Sequence, residues 1–146
     1  MIIEQLTKIY HNCEFWHKHK LTKEQSDKYH ERLLIQGNIL TYIVNGELLG
    51  YLEFWRLNFE QFGRVVCNLP IMTDVEDLLN GPIAYISNMY ITPDDRDGMA
   101  FNVLASMFLS RNKDAQYFTA FRRTKKSQPV QVYKREDLMK LYTKGI

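Results

Sequence analysis

The sequence predicts an α+β (α/β layered) domain built on a single mixed sheet, mostly antiparallel, with helices on both faces. Three observations carry this. Asn45-Gly46 joins two apolar, aromatic-rich runs, Ile39 to Val44 and Glu47 to Leu57. Asn-Gly between such runs is the strongest short-range hairpin signal, because both turn residues must accept positive φ. Ile83 to Ile91 is apolar or small on both alternating faces, as a central strand covered on both sides requires. That strand feeds a short polar turn holding Gly98, and then Phe101, Leu104, Ala105 and Phe108 at helical spacing, a core-facing stripe.

The other elements follow in chain order. Ile3, Leu6, Ile9 and Tyr10 repeat at helical spacing, so the chain starts with a short amphipathic helix. Thr22 and Gln25 form a capping box for a second helix through about Ile35. Its buried stripe is Tyr29, Leu33 and Leu34, and Gly37-Asn38 ends it. Between Phe59 and Leu79 the expectation is a loop or irregular strand through Arg64-Val65-Val66-Cys67. A short helix from Asp74 to Leu79 then ends at Asn80-Gly81-Pro82. Ala115 to Arg122 and Val130 to Tyr133 read as two strands around the polar loop from Thr124 to Pro129. A final helix starts near Arg135 and ends at Gly145. No internal repeat or low-complexity segment interrupts the chain.

Size and composition bound the function classes. A chain of 146 residues is expected to form one domain, 1–146, around one core. Hydrophobic residues at 45% and charged residues at 25% exclude the disordered class. No apolar run approaches the roughly 20 residues that span a bilayer, so no membrane partner is expected. Met1-Ile2-Ile3-Glu4-Gln5-Leu6-Thr7-Lys8 lacks a basic segment followed by a long apolar one, which predicts a cytoplasmic protein. Cys13 and Cys67 then read as reduced thiols. No Cys or carboxylate completes a tetrahedral set with His11, His17, His19 or His30, so no metal is expected. The net charge of +2 is small, but from Arg122 onward eight Lys and Arg face only Glu136 and Asp137. This basic region suits a phosphate-bearing partner, nucleic acid included, or a solvated surface.

The stretch Ala84-Tyr85-Ile86-Ser87-Asn88-Met89-Tyr90-Ile91-Thr92-Pro93-Asp94-Asp95-Arg96-Asp97-Gly98-Met99-Ala100 carries the most functional information. A strand entering a helix through such a turn leaves backbone N–H groups and the positive end of a helix dipole pointing one way, a seat for phosphate. The order resembles the acyl-CoA-binding core of the GCN5-related N-acetyltransferase (GNAT) superfamily. There, Val/Ile-x-Pro closes the central strand and Arg/Gln-x-x-Gly-x-Gly/Ala opens the next helix. Here Ile91-Thr92-Pro93 and Arg96 hold their places while Gly98 arrives one residue early, and Asp94, Asp95 and Asp97 flank it. The chain thus looks like a divergent member with a shortened pyrophosphate turn. The layout after the turn is also similar to that of the toxin-activating lysine acyltransferases.

The resemblance implies an acyl-CoA N-acyltransferase-like fold. It implies an enzyme moving an acetyl or other acyl group from acetyl-CoA or another acyl-CoA to an amine of a protein, small molecule or nucleobase. By the same resemblance Met89, Tyr90 and Ile91 offer the strand edge for the pantetheine arm. Arg96, Asp97, Gly98, Met99 and Ala100 supply the pyrophosphate turn, and Tyr133 and Tyr142 are candidates for the C-terminal acid. Amine acylation needs a base for the ammonium proton and a donor for the leaving thiolate. Glu53, flanked by Leu52, Phe54 and Trp55, is the candidate base, since burial favours a carboxyl that holds its proton near neutrality. The other reading makes it an outward-facing carboxylate on an alternating strand. Ser87 and Asn88 on the central strand are candidates to position substrate or water. An alternative keeps the fold and drops the chemistry: an inactive binding or interaction module, contacting nucleic acid through the basic C-terminal strands. Acceptor and oligomeric state, monomer or homodimer, stay open.

Overall fold

The helices begin where side chains take over the duties of the missing backbone bonds. In a computed structural model that describes residues 2–12, 22–67, 80–93, 99–121 and 130–134, the chain divides into two units. Met1–Glu53 with Tyr90–Met107 form the first, and Phe54–Met89 with Phe108–Ile146 the second.

In the first unit, α1 (Ile2–Asn12) and α2 (Lys23–Gln36) are the two N-terminal helices. The capping box at the start of α2 is present: Thr22 Oγ1 accepts from the Gln25 N–H at 3.2 Å, and Gln25 Oε1 accepts from the Thr22 N–H at 3.0 Å. Gly37 ends the helix in the left-handed region at φ 76°, where its N–H and that of Asn38 reach back to Leu34 and Leu33 carbonyls. The buried face differs from the expected stripe. Ser26, His30 and Leu33 are buried, while Tyr29 and Leu34 are only half-buried. The reason is polar: the Ser26 hydroxyl donates to Thr7 Oγ1 of α1 at 3.4 Å and lies 3.3 Å from His30 Nδ1. Thr7 in turn donates to Asp27. Buried polar groups that satisfy one another lose little by burial, and a hydrophobic pattern does not register them.

β1 (Ile39–Val44) and β2 (Glu47–Leu57) form the expected antiparallel hairpin, with Ile39 opposite Glu53 and Thr41 opposite Tyr51. Asn45 at φ 51° and Gly46 at φ 79° make the tight turn. Helix α1 is tied to it through Gln5, which accepts from the Leu48 N–H at 2.7 Å and donates to the Gly46 carbonyl at 3.1 Å. The end of β3 (Ile83–Ile91) and the start of α4 (Met99–Arg111) complete this unit. Gly50 lets them close on β2: a Cβ there would lie 3.0 Å from the Tyr90 carbonyl oxygen, 3.2 Å from Leu104 Cδ1 and 3.6 Å from the Ala100 Cβ.

That close approach corrects the expected stripe on α4. Ala100 and Leu104 are fully buried, whereas Phe101 is 53% exposed, and Ala105 is half-buried. Beside a glycine only a small first-turn residue fits, so the inward row runs by steps of four from Ala100, and Phe101 is turned out.

The second unit holds the largest departure from expectation. Arg64 to Cys67 is no loop or irregular strand: α3 spans Phe59–Val66 and Cys67 is its C-cap. Asn58 caps it, accepting from the Gln61 N–H at 2.8 Å. Phe62 and Val65 pack on Leu57, Ile83 and Tyr85. β4 (Tyr117–Phe121) begins two residues later than the expected Ala115, because the Ala115 N–H closes a turn on the Asn112 carbonyl at 3.1 Å. β4 runs parallel to β3 and antiparallel to β5 (Val130–Lys134). Phe108 stacks edge-on against both Phe54 and Phe118. Buried Arg56 donates to the Gly81 carbonyl at 2.8 Å, to Asp114 at 2.8 Å and to Asn112 at 3.5 Å.

The five strands form one mixed sheet in chain order, β1-β2-β3-β4-β5, and with the helices give the α+β class expected. The helix expected at Asp74 to Leu79, the loop from Thr124 to Pro129 and the helix from Arg135 to Gly145 lie outside the described residues. No helix among the described residues is long and apolar enough to cross a membrane.

Candidate functional site

The strand that closes on Pro93 outruns its neighbour. β3 extends to Ile91, while among the described residues its ladder with β4 runs from Ile83 to Ile86, opposite Tyr117 to Ala120. Met89, Tyr90 and Ile91 lie past the end of that ladder, and all three are half-buried. The backbone of a strand beyond its partner is a template for another extended chain. Ser87 is half-buried and Asn88 buried on the same strand, both engaged in contacts of their own.

Of the turn residues, Arg96, Asp97 and Gly98 lie outside the described residues. Met99 and Ala100 open α4, the first 52% exposed and the second fully buried. Tyr133 stands on β5 opposite Phe118; Tyr142 and the basic residues from Arg122 to Lys126 lie outside the described residues. Among the described residues no group of His, Cys, Asp or Glu is arranged to hold a metal ion.

The first unit turns a carboxyl group inward. Glu53 is 6% exposed on β2, so of its two readings the outward-facing one is set aside. Its Oε1 accepts a hydrogen bond from the Tyr29 hydroxyl of α2. Burial disfavours the carboxylate, and a donor aimed at it favours the carboxylate. Tyr51 points to the same face of β2, two residues before Glu53. Its ring stacks on Tyr90 of β3 with centroids 6.0 Å apart and planes 26° apart. Tyr29 escapes a sequence reading of function because its partner is 24 positions away; spacing makes it simply one more core aromatic.

No protein-family model and no curated protein matches the chain. Solved structures do. A GNAT-like decarboxylase, GphF, in complex with isobutyryl-CoA matches at TM-score 0.58 and 11% identity, covering 99% of this chain and 67% of that one. The loading GNATL domain of CurA from Lyngbya majuscula matches at TM-score 0.54 and 13% identity, covering 82% of this chain and 59% of that one. An acetyltransferase of the GNAT family from Streptococcus pneumoniae matches at TM-score 0.53 and 11% identity, covering 99% of this chain and 75% of that one. The chain thus spans about two thirds of the first of these proteins and less of the second. The chain has the GNAT fold, and identities this low carry the likeness no further than fold.

Proposed function

We propose that this protein is an acyl-CoA-dependent N-acyltransferase, moving an acetyl or other acyl group onto an amine. The observation that carries the reading is the outrunning of β4 by β3. Met89 to Ile91 continue as strand past the Ile86–Ala120 end of the ladder, immediately before the segment that enters α4. The backbone of Met89 to Ile91 would receive the amide-bearing pantetheine arm. The segment from Arg96 to Gly98, read from the sequence as a turn, would with Met99 and Ala100 receive the pyrophosphate on backbone N–H groups at a helix start. Small, buried Ala100 fits such a seat. The GNAT fold, shared with a protein solved with isobutyryl-CoA, supports the same donor.

In this reading Glu53 takes a proton from the acceptor ammonium, directly or through water, and becomes a carboxylic acid. The neutral amine nitrogen attacks the thioester carbonyl, the new C–N bond forms, and the C–S bond breaks. CoA leaves as thiolate, and Tyr133 is the proposed proton donor to it. The amide nitrogen releases its remaining extra proton to solvent. Ser87 and Asn88 position acceptor or water.

Two measurements test the donor. Native mass spectrometry of freshly purified protein should find co-purified CoA. Acetyl-CoA at a hundredfold excess over its Kd should stabilise the fold by about 2.7 kcal/mol, because only native-state binding shifts the equilibrium. No CoA adduct and an unmoved melting temperature with acetyl- and longer acyl-CoA would leave a binding module on the same fold.

A further inference from the structure

We infer that Tyr29 is the positioning residue of the proton-transfer site, holding the Glu53 carboxylate in its working orientation. The inference rests on the reading of Glu53 as the base, and deepens it. Tyr29 sits on α2 and donates its hydroxyl hydrogen to Glu53 Oε1 on β2. A buried carboxylate without a donor is costly, and one held by a donor is both tolerated and fixed in direction.

The ring that carries the donor is itself held. It meets His30 edge-on, with centroids 5.5 Å apart and planes at 69°. His30 is anchored by Ser26, and Ser26 by Thr7 of α1. The polar face of α2 thus runs from α1 to the β2 carboxylate, which explains why Ser26 and His30 are buried where apolar residues would pack more cheaply. Ile39 stands opposite Glu53 on β1, and the Tyr51–Tyr90 stack lies along the same face from β2 and β3. From α2, Tyr29 reaches Glu53 with its hydroxyl and has His30 behind its ring.

The chemistry assigns a direction. Tyr29 keeps its proton throughout and donates to the charged form of Glu53, so it favours the carboxylate over the acid. It therefore keeps Glu53 able to accept a proton at lower pH than burial alone would permit. Removing the hydroxyl while keeping the ring must move the Glu53 titration to higher pH.

The test uses the full chain as wild type, Tyr29→Phe and Glu53→Gln. Side-chain carboxyl carbons of 13C-labelled glutamate are followed by NMR against pH, with Glu53→Gln assigning the resonance. Release of CoA thiol from acetyl-CoA, with a panel of primary amines, is followed over the same pH range. In Tyr29→Phe the Glu53 midpoint should rise, and the acidic limb of kcat/KM should rise with it. The rate deficit should reach about tenfold at the acidic end and shrink as pH rises, in proportion to one charge-assisted hydrogen bond. A uniform loss at every pH, or a Glu53 midpoint that stays or falls, overturns the inference. A midpoint that rises while the acidic limb stays put also overturns it, because the pair is then structural. If wild type neither binds nor turns over any acyl-CoA, the functional reading fails first and takes the catalytic role of Tyr29 with it. The NMR midpoints still record the Tyr29–Glu53 bond, so the two failures are told apart. Phenylalanine preserves the edge-on contact with His30, and the thermal melt of Tyr29→Phe checks that the fold survives.

Discussion

Gly81 is the position where one methyl group should do most harm. Its ideal Cβ would stand 2.0 Å from the Leu57 carbonyl oxygen, 2.1 Å from the Leu57 carbonyl carbon and 2.6 Å from the Asn58 nitrogen. Favourable carbon contacts lie at about 3.5–4.0 Å, so something must move by more than an ångström, and every neighbour is backbone. The displacement breaks two hydrogen bonds that seat the start of β3: Gly81 N–H to the Arg56 carbonyl at 3.2 Å, and Arg56 Nε to the Gly81 carbonyl at 2.8 Å. A neutral bond contributes about 1 kcal/mol and one from a charged donor about 2 kcal/mol. Gly81→Ala should therefore cost about 3 kcal/mol, roughly 10 °C in Tm for a chain of this length. Gly63 is the control. It lies in α3 with nothing within 4 Å of its ideal Cβ, so Gly63→Ala should stabilise by about 0.5–1 kcal/mol through the helix preference of alanine. Urea and thermal unfolding of both variants beside wild type decide the matter. If Gly81→Ala unfolds within about 1 kcal/mol of wild type, the seating of β3 on β2 at Arg56 and Leu57 is wrong.

Three further outcomes are expected. Leu104→Ala empties a fully buried position on α4 and should lower unfolding free energy by about 2–5 kcal/mol, read by urea denaturation. Thr22→Ala removes one half of the capping box and should cost about 1 kcal/mol, with helical circular dichroism reporting fraying of α2. In the Arg56–Asp114 pair the two side chains are 9% and 79% exposed. Asp114→Ala should cost at most about 1 kcal/mol, and Arg56→Ala about 3 kcal/mol, since it strips donors from Gly81 and Asn112; equal costs would contradict the asymmetry of the pair.

Local chemistry made much of this molecule legible in advance. Asn45-Gly46, the Thr22–Gln25 box and Gly37 act through bonds spanning a few residues, so spacing alone locates the hairpin and the limits of α2. The alternation of Ile83 to Ile91 likewise marks the central strand, and its passage through Pro93 toward an apolar helical row suggests the GNAT fold. Where several side chains compete for one surface, spacing fell short. Phe101 has the right phase for the core but loses it to Ala100, since Gly50 brings β2 against α4 and leaves space for one methyl group. Ser26 and His30 go inward through partners supplied by α1 and by each other. Arg64 to Cys67 becomes helical because Asn58 caps α3 and Leu57, Ile83 and Tyr85 receive its apolar side.

The sequence by itself determined the hairpin, the limits of α2 and the central strand with the helix that follows it, since each is written in neighbouring residues. Tertiary structure alone decided that β3 outruns β4, that Glu53 faces inward, and that the hydroxyl meeting it belongs to Tyr29. The physical reason is distance along the chain: register, burial and a donor 24 residues away depend on which surfaces meet, and no local pattern encodes that meeting.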